Sequence, residues 1–265
     1  MEREWFETFF DEVYPELWGG WKPFTPERTE REASFVGEAL GLQPPARILD
    51  LACGHGRHCL ALAKKGFRMV GVDLTQRFLD MGTRAAEEAG LQIEWVHQDM
   101  RRIEFDEEFD AAINMFGAFG YFEDEGDDLE VLRRIRKALR PGGKFFIDVV
   151  NRDSVMARFA PCVVAHEEEG VLAVQERRFD PLTGVNHTTT RVFNNGERRD
   201  YALNCRLFNL TEMNWFLNRA GLRFLRAYGS YDGDEFERLS HRMLVAAERP
   251  AEEVRALARN SNLWV

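Results

Sequence analysis

The sequence predicts an α/β fold, a doubly wound and mostly parallel seven-stranded sheet, with an antiparallel β insertion late in the chain. Three observations predict it. Short apolar runs at 47–51, 68–72, 93–96, 109–114 and 144–149 alternate with helical stretches at 57–65, 76–89 and 127–139. Strand then helix, repeated, lays parallel strands side by side with helices on both faces. The alternation then gives way to runs at 162–166, 171–179, 187–194 and 199–208. These are joined by Glu169-Gly170, Asp180 to Gly184 and Asn194-Asn195-Gly196, which is turn chemistry. A helix at 211–220, stopped by Gly221, leads into two closing strands at 223–228 and 242–248.

Before the first strand, Trp5, Phe6, Phe9, Phe10, Val13, Tyr14, Leu17 and Trp18 form an apolar stripe at helical spacing, with Pro15 as a kink. Thr25-Pro26 is an N-cap followed by proline at the first helical position, and that helix is expected to run to Leu40. Leu139 to Gly143 reads as a helix stop and turn into a buried strand, and a short polar helix is expected near the C-terminus. The chain has 265 residues, enough for one sizeable domain with an insertion. A formal charge of −10 argues against nucleic acid as the main partner, because phosphate binding needs a basic surface. Arg133, Arg134, Arg136 and Lys137 read as the solvated face of a helix. The polar N-terminus is unlike a signal peptide, and no apolar run approaches the ~18 residues that span a bilayer. Four cysteines without scaffold or CxxC spacing suggest reduced thiols in the cytoplasm, with no metal site.

The densest chemistry lies between Ile48 and Asp73. An apolar run carries Asp50, two glycines follow as Gly54-His55-Gly56, then a helix, then a second strand ending in Asp73. An acid there is placed to hydrogen-bond the hydroxyls of a ribose, so a nucleoside-containing cofactor is expected. The dinucleotide fingerprint wants a third glycine, and that position is Cys59.

This order of motifs resembles the class I S-adenosylmethionine-dependent methyltransferases, with specific motifs over about 46–150 and by topology alone over 209–248. It looks closest to small-molecule methyltransferases that insert a β-rich segment after the fifth strand, as glycine and amino-sugar N-methyltransferases do. The resemblance implies a Rossmann-like methyltransferase fold and S-adenosylmethionine as cofactor. It assigns Asp50, Ala52, Gly54 and Gly56 to the glycine-rich loop, with Ala52 replacing the family's first loop glycine. An alanine there is strained if the backbone needs positive φ. Asp73 and Leu74 match the ribose-holding end of the second strand, Asp99 and Met100 the adenine segment, and Asn114 and Phe116 the segment lining the methionine moiety and methyl group.

Ligands bind beyond the carboxyl ends of parallel strands, which selects the loops 52–58, 73–77, 99–102, 114–124, 150–162 and 229–237. Tyr14, His58 and Tyr121 are the catalytic candidates. His55, Arg57, His166, His187, Tyr228, Tyr231, Asp232 and Asp234 are further rim candidates. The expected organisation is an N-terminal helical cap (1–45), a cofactor-binding core (46–150 and 209–249), a β insertion (151–208) and a tail (250–265). The insertion is expected to cover the substrate, form a homodimer interface, or both. The expected activity is methyl transfer to a small-molecule N or O nucleophile, without nucleic acid or membrane partners. The alternatives are a cyclisation or alkyl transfer with the same cofactor, and a non-catalytic cofactor-binding protein.

Overall fold

The computed structural model describes residues 4–10, 25–168, 171–194 and 196–251. Tyr14, the expected kink at Pro15 and the expected C-terminal helix lie outside the described residues. The helices are α1 (Trp5–Thr8), α2 (Pro26–Leu40), α3 (Arg57–Lys64), α4 (Gln76–Glu88), α5 (Glu125–Ala138), α6 (Arg152–Ala157) and α7 (Leu210–Ala220) among the described residues. The strands are β1 (Arg47–Leu51), β2 (Arg68–Asp73), β3 (Ile93–His97), β4 (Phe109–Asn114), β5 (Leu139–Val150), β6 (Cys162–Glu168), β7 (Val171–Phe179), β8 (Val185–Asn194), β9 (Glu197–Arg206), β10 (Arg223–Tyr228) and β11 (Arg242–Glu248).

Seven strands form one sheet in the order β10-β11-β5-β4-β1-β2-β3. β1, β2, β3, β4 and β5 pair in parallel, whereas β11 runs antiparallel to both β5 and β10. Ile48, Leu49 and Leu51 of the central strand have no solvent exposure, as expected of a strand covered on both faces. The chain order reverses between β1 and β4, the switch point where such sheets open a ligand crevice.

Local chemistry sets the helix ends. Thr25 Oγ1 accepts from the Arg28 N–H at 3.3 Å, and Gly41 closes α2 in the left-handed region at φ 62°. Asn209 and Glu212 form a reciprocal capping box on α7, and Gly221 ends it at φ 79°. Two features differ from the sequence expectations. Residues 139–143 do not form a simple turn, because the Gly142 N–H donates to the Arg249 carbonyl and the Arg249 N–H to that of Gly143, both at 2.8 Å. β5 therefore begins at Leu139. The helix α6 was not anticipated; Asn151 caps it, accepting from the Asp153 N–H at 3.1 Å.

β6-β7-β8-β9 form a second, antiparallel sheet. Directly opposed residues present side chains to the same face. One row is Arg177, Thr188 and Leu203, and the next is Gln175, Thr190 and Tyr201. Thr188 and Thr190 are buried, which makes this the inner face. The sheet docks on the loop after β4 through Arg206. Its Nε donates to Asp128 Oδ2 at 3.0 Å and its backbone N–H to the Gly120 carbonyl at 2.6 Å. A Cβ on Gly120 would stand 2.5 Å from the Arg206 carbonyl oxygen, so only glycine permits this approach.

Candidate active site

A cleft of about 310 Å³ opens at the carboxyl ends of β1, β2, β3 and β4. Its floor is the loop after β1, where Ala52 (φ 58°) and Gly54 (φ 57°) both take left-handed conformations. Ala52 thus carries the strain expected of an alanine in a glycine's place. Nothing lies within 4 Å of the Cβ position above Gly54, leaving room for a ligand to approach the backbone.

Two buried carboxylates face this floor. Asp73, at the end of β2, accepts from the Gly54 N–H at 2.7 Å and the Thr75 N–H at 2.8 Å. Burial raises its pKa, and those two N–H bonds hold it back. Each oxygen keeps lone-pair capacity beyond its backbone bond, as ribose hydroxyls would need. Asp50 accepts only a weak bond from the Cys59 thiol at 3.3 Å, and its Oδ1 is buried without a partner. Burial, with Asp73 adding to it, pushes Asp50 up to about 7. An orphaned carboxylate oxygen in the wall of a cleft suits a positively charged ligand group.

The sequence expectation for Asp99 meets a complication. Arg101 grips this carboxylate through Nε (2.9 Å to Oδ2) and Nη2 (2.6 Å to Oδ2), and its backbone N–H donates to Oδ1 at 2.8 Å. Asp99 lines the cleft with much of its acceptor capacity already spent, beside Gln98 and Met100. Arg101 also reaches Glu4 Oε2 at 2.6 Å, fastening α1 over the rim. There Trp5 Nε1 donates to the Tyr121 carbonyl at 3.2 Å, and Phe6, Phe9, Phe10, Tyr121 and Phe122 make an aromatic wall.

Behind the loop after β4 lies a charged network. Phe116 has φ 62°, a costly conformation for an aromatic residue, fixed where its N–H donates to Asp148 Oδ2 at 3.0 Å. Asp148 also accepts from Tyr231 Oη at 2.7 Å and Arg242 Nε at 2.6 Å. On the other side, Glu32 of α2 accepts from Arg28 (2.7 Å) and Arg57 (2.5 Å) and contacts His58 Nε2 at 3.0 Å. Burial raises the Glu32 pKa, but the His58 hydrogen bond and the Arg57 charge outweigh it and leave Glu32 at about 2. Burial, reinforced by Arg57, lowers His58 to about 4. His58 is therefore neutral near pH 7, and its Nε2–H donates to the Glu32 carboxylate.

Of the residues singled out from the sequence, Asp50, Ala52, Gly54, Asp73, Leu74, Asp99, Met100, Phe116, His58 and Tyr121 line the cleft, with His55 and Arg57. Gly56 and Asn114 stand behind the wall. A Cβ on Gly56 would meet the Trp95 ring at 2.2 Å, so this glycine serves packing. The Asn114 amide donates to the Leu51 and Ala118 carbonyls at 2.9 and 3.0 Å, which ties β1 to the next loop. The loops 150–162 and 229–237 do not contribute to the wall. Tyr231 binds Asp148, Tyr228 packs on Phe35 and Asp232 pairs with Arg31, while Asp234 accepts from Ser230. His187 bonds Asn204 on the outer face of the second sheet. Met115 and Thr75, from the expected loops 114–124 and 73–77, also line the wall, whereas sequence reasoning missed Phe78 and Leu203 from β9. It also missed Asp148, whose signal was an acid inside the apolar run Phe145-Phe146-Ile147-Asp148-Val149.

Comparison with known proteins agrees with this geometry. Residues 48–143 match the family described as a methyltransferase domain. The cypemycin N-terminal methyltransferase of a Streptomyces species is 28% identical over 212 residues, spanning 76% of this chain and 82% of that protein. In fold, the CcbJ methyltransferase of Streptomyces caelestis superposes with a TM-score of 0.80 at 20% identity, covering 92% of this chain and 99% of that one. S-adenosylmethionine-bound CalS10 of Micromonospora echinaspora, an amino pentose methyltransferase, superposes with a TM-score of 0.68 at 20% identity, covering 90% and 97%. With the acid-tipped β2, the glycine-rich floor and the antiparallel β11 already in place, these likenesses support a class I S-adenosylmethionine-dependent methyltransferase, with the family match spanning residues 48–143.

Proposed function

We propose that the chain transfers the methyl group of S-adenosylmethionine to a nitrogen or oxygen of a small-molecule acceptor. The observation that carries this reading is the enclosure of the cleft. The aromatic wall covers one side and Leu203 of the second sheet another, so the acceptor must be small enough to enter between them.

The cofactor, when bound, supplies a methyl group already activated by a sulfonium. The chain's task is then to align a nucleophile and exclude water. Asp73 holds the ribose hydroxyls, and Gly54 gives the close backbone approach. Asp50, with its unpartnered oxygen, takes the cationic end. Met100 and Gln98 flank the adenine, with Asp99 oriented by Arg101. Met115 and Phe116 wall the transfer site. His58 is held by Glu32 and is a poor proton acceptor at a pKa of about 4, so we assign it a positioning role. Tyr121 offers a hydroxyl at the rim. An amine acceptor that arrives as its free base needs no dedicated base. N-acceptors come first in the screen because the cypemycin enzyme is named an N-terminal methyltransferase and CalS10 an amino pentose methyltransferase.

The reading includes segment 151–208 as the acceptor's cover, a cytoplasmic setting, and no nucleic-acid partner at a net charge of −10. No helix among the described residues is long and apolar enough to cross a membrane. A homodimer through the second sheet belongs to the same reading, and light scattering reads it directly. The deciding experiment is calorimetry with S-adenosylmethionine and S-adenosylhomocysteine, followed by methyl-transfer assays on amines, phenols and sugars. Tight binding of both cofactors with turnover of one acceptor class supports the proposal. Binding without methylation of any class would favour the non-catalytic alternative.

A further inference from the structure

The inner face of the second sheet carries a polar strip that the cofactor does not need. Leu203 of β9 lines the cleft, Thr188 stands opposite it on β8, and Arg177 stands opposite Thr188 on β7. Two strand spacings put the Arg177 backbone about 10 Å from that of Leu203, within reach of a long side chain and a modest ligand. Arg177 is half-buried, and Nη2 donates to Gln175 Oε1 at 2.5 Å. No ion pair joins its guanidinium to a carboxylate among the described residues. The better-placed arginines differ. Arg101 meets Asp99, Arg206 meets Asp128 and Arg242 meets Asp148. Withdrawing a guanidinium from water without a counterion is unfavourable, and burial alone draws its pKa below the usual arginine range.

A second group on this face has an unmet hydrogen bond. Asn186 stands opposite Cys205, whose thiol contacts the Phe119 carbonyl in the loop that walls the cleft. Its Nδ2 donates to Thr188 Oγ1 at 3.2 Å, and its Oδ1 is buried without a partner. An unpaired cation and an unpaired acceptor thus share one face, leading away from the transfer site.

We propose that Arg177 is a specificity-determining residue that binds an anionic group, carboxylate or phosphate, on the methyl acceptor, with Asn186 accepting from a neighbouring hydroxyl or ammonium. The planar guanidinium fork matches either anion with two parallel bonds. This rests on the reading of the adjoining cleft as the cofactor and transfer site.

The test is calorimetry on the full-length protein saturated with S-adenosylhomocysteine. Inorganic phosphate and acetate are titrated separately, with chloride as the ionic-strength control, into wild type, Arg177→Gln and Arg177→Lys. One anion is expected to bind wild type beyond the chloride effect. Arg177→Gln should weaken it by about tenfold or more, the loss of a charge-assisted pair, and Arg177→Lys should fall between. Melting temperature and S-adenosylhomocysteine affinity should stay unchanged in both variants. A preference for phosphate marks a phosphorylated acceptor, and a preference for acetate a carboxylated one. Anion binding indistinguishable from chloride, or equal in Arg177→Gln and wild type, overturns the proposal. Failure of wild type to bind S-adenosylhomocysteine would instead overturn the cofactor site.

Discussion

The carboxyl edge of the seven-stranded sheet and the inner face of the four-stranded sheet both border the cleft, but they are built differently. At the carboxyl edge, polar side chains are committed to backbone groups. Asp73 holds two N–H groups, Asp148 holds that of Phe116, and Asn114 binds two carbonyls. On the inner sheet face, Gln175, Arg177, Thr188, Thr190 and Asn186 bond through their side chains to one another, or leave atoms unpaired. Function and fold are coupled at the first surface and separable at the second. A cofactor of fixed shape suits backbone-anchored acids, whereas side chains on a strand face can be exchanged to meet an acceptor without undoing the sheet.

The largest effect should come from Asp73→Ala. Removing the carboxylate strips the expected ribose contacts and leaves two backbone N–H groups unsatisfied. Loss of two charge-assisted hydrogen bonds corresponds to about 3 kcal/mol or more, so the cofactor dissociation constant should rise by about a hundredfold or more in calorimetry, with a lowered melting temperature. Unchanged affinity would break the assignment of this edge to the cofactor. Next comes Gly56→Ala. Its φ of 77° and the Trp95 ring 2.2 Å from the new Cβ combine backbone and packing strain. A destabilisation of about 2–4 kcal/mol is expected in denaturant unfolding. Glycine and tryptophan at this junction serve the edge's shape, so the cofactor should still bind the folded fraction.

The edge should also show itself in pH. His58 is depressed from 6.5 to about 4, mainly by burial. A histidine whose folded pKa lies below its unfolded one contributes stability that is complete above pH 6.5. It is lost as the pH falls toward 4, because the unfolded chain then binds the proton more readily. Melting temperature should therefore drop over that window, and His58→Gln should flatten part of the slope. An unaltered slope would show that His58 is not held neutral by its surroundings.

The same division explains what could be read from the sequence. β1, β4, β7, β10 and β11 have the expected bounds, and the meeting of Asp50, Gly54 and Asp73 at one cleft was legible because strand ends and tight turns place residues locally. Ala52 was legible as a strained substitution, since one backbone conformation decides it. Asn114 and Gly56 misled, because their partners Leu51, Ala118 and Trp95 come from other elements. Leu203 and Arg177 gave no signal. Their place at the cleft depends on two inter-strand registers and on how Arg206 docks the sheet, neither of which a local pattern encodes.

The smallest expected effect sharpens the comparison most. Leu203→Ala shortens the one side chain among the described residues by which the second sheet lines the cleft. Leu203 is only partly buried, so truncation should cost less than the ~2–5 kcal/mol of a fully buried leucine, and the fold should persist. Because the proposed cofactor contacts come from the other edge, affinity for S-adenosylmethionine should change by less than about threefold, below 1 kcal/mol. The acceptor, on the proposed reading packed between Leu203 and the aromatic wall, should instead show a higher KM with kcat nearly preserved, the signature of lost uniform binding. Parallel loss of cofactor affinity would mean that the two surfaces are one, and that the second sheet helps to shape the cofactor pocket itself.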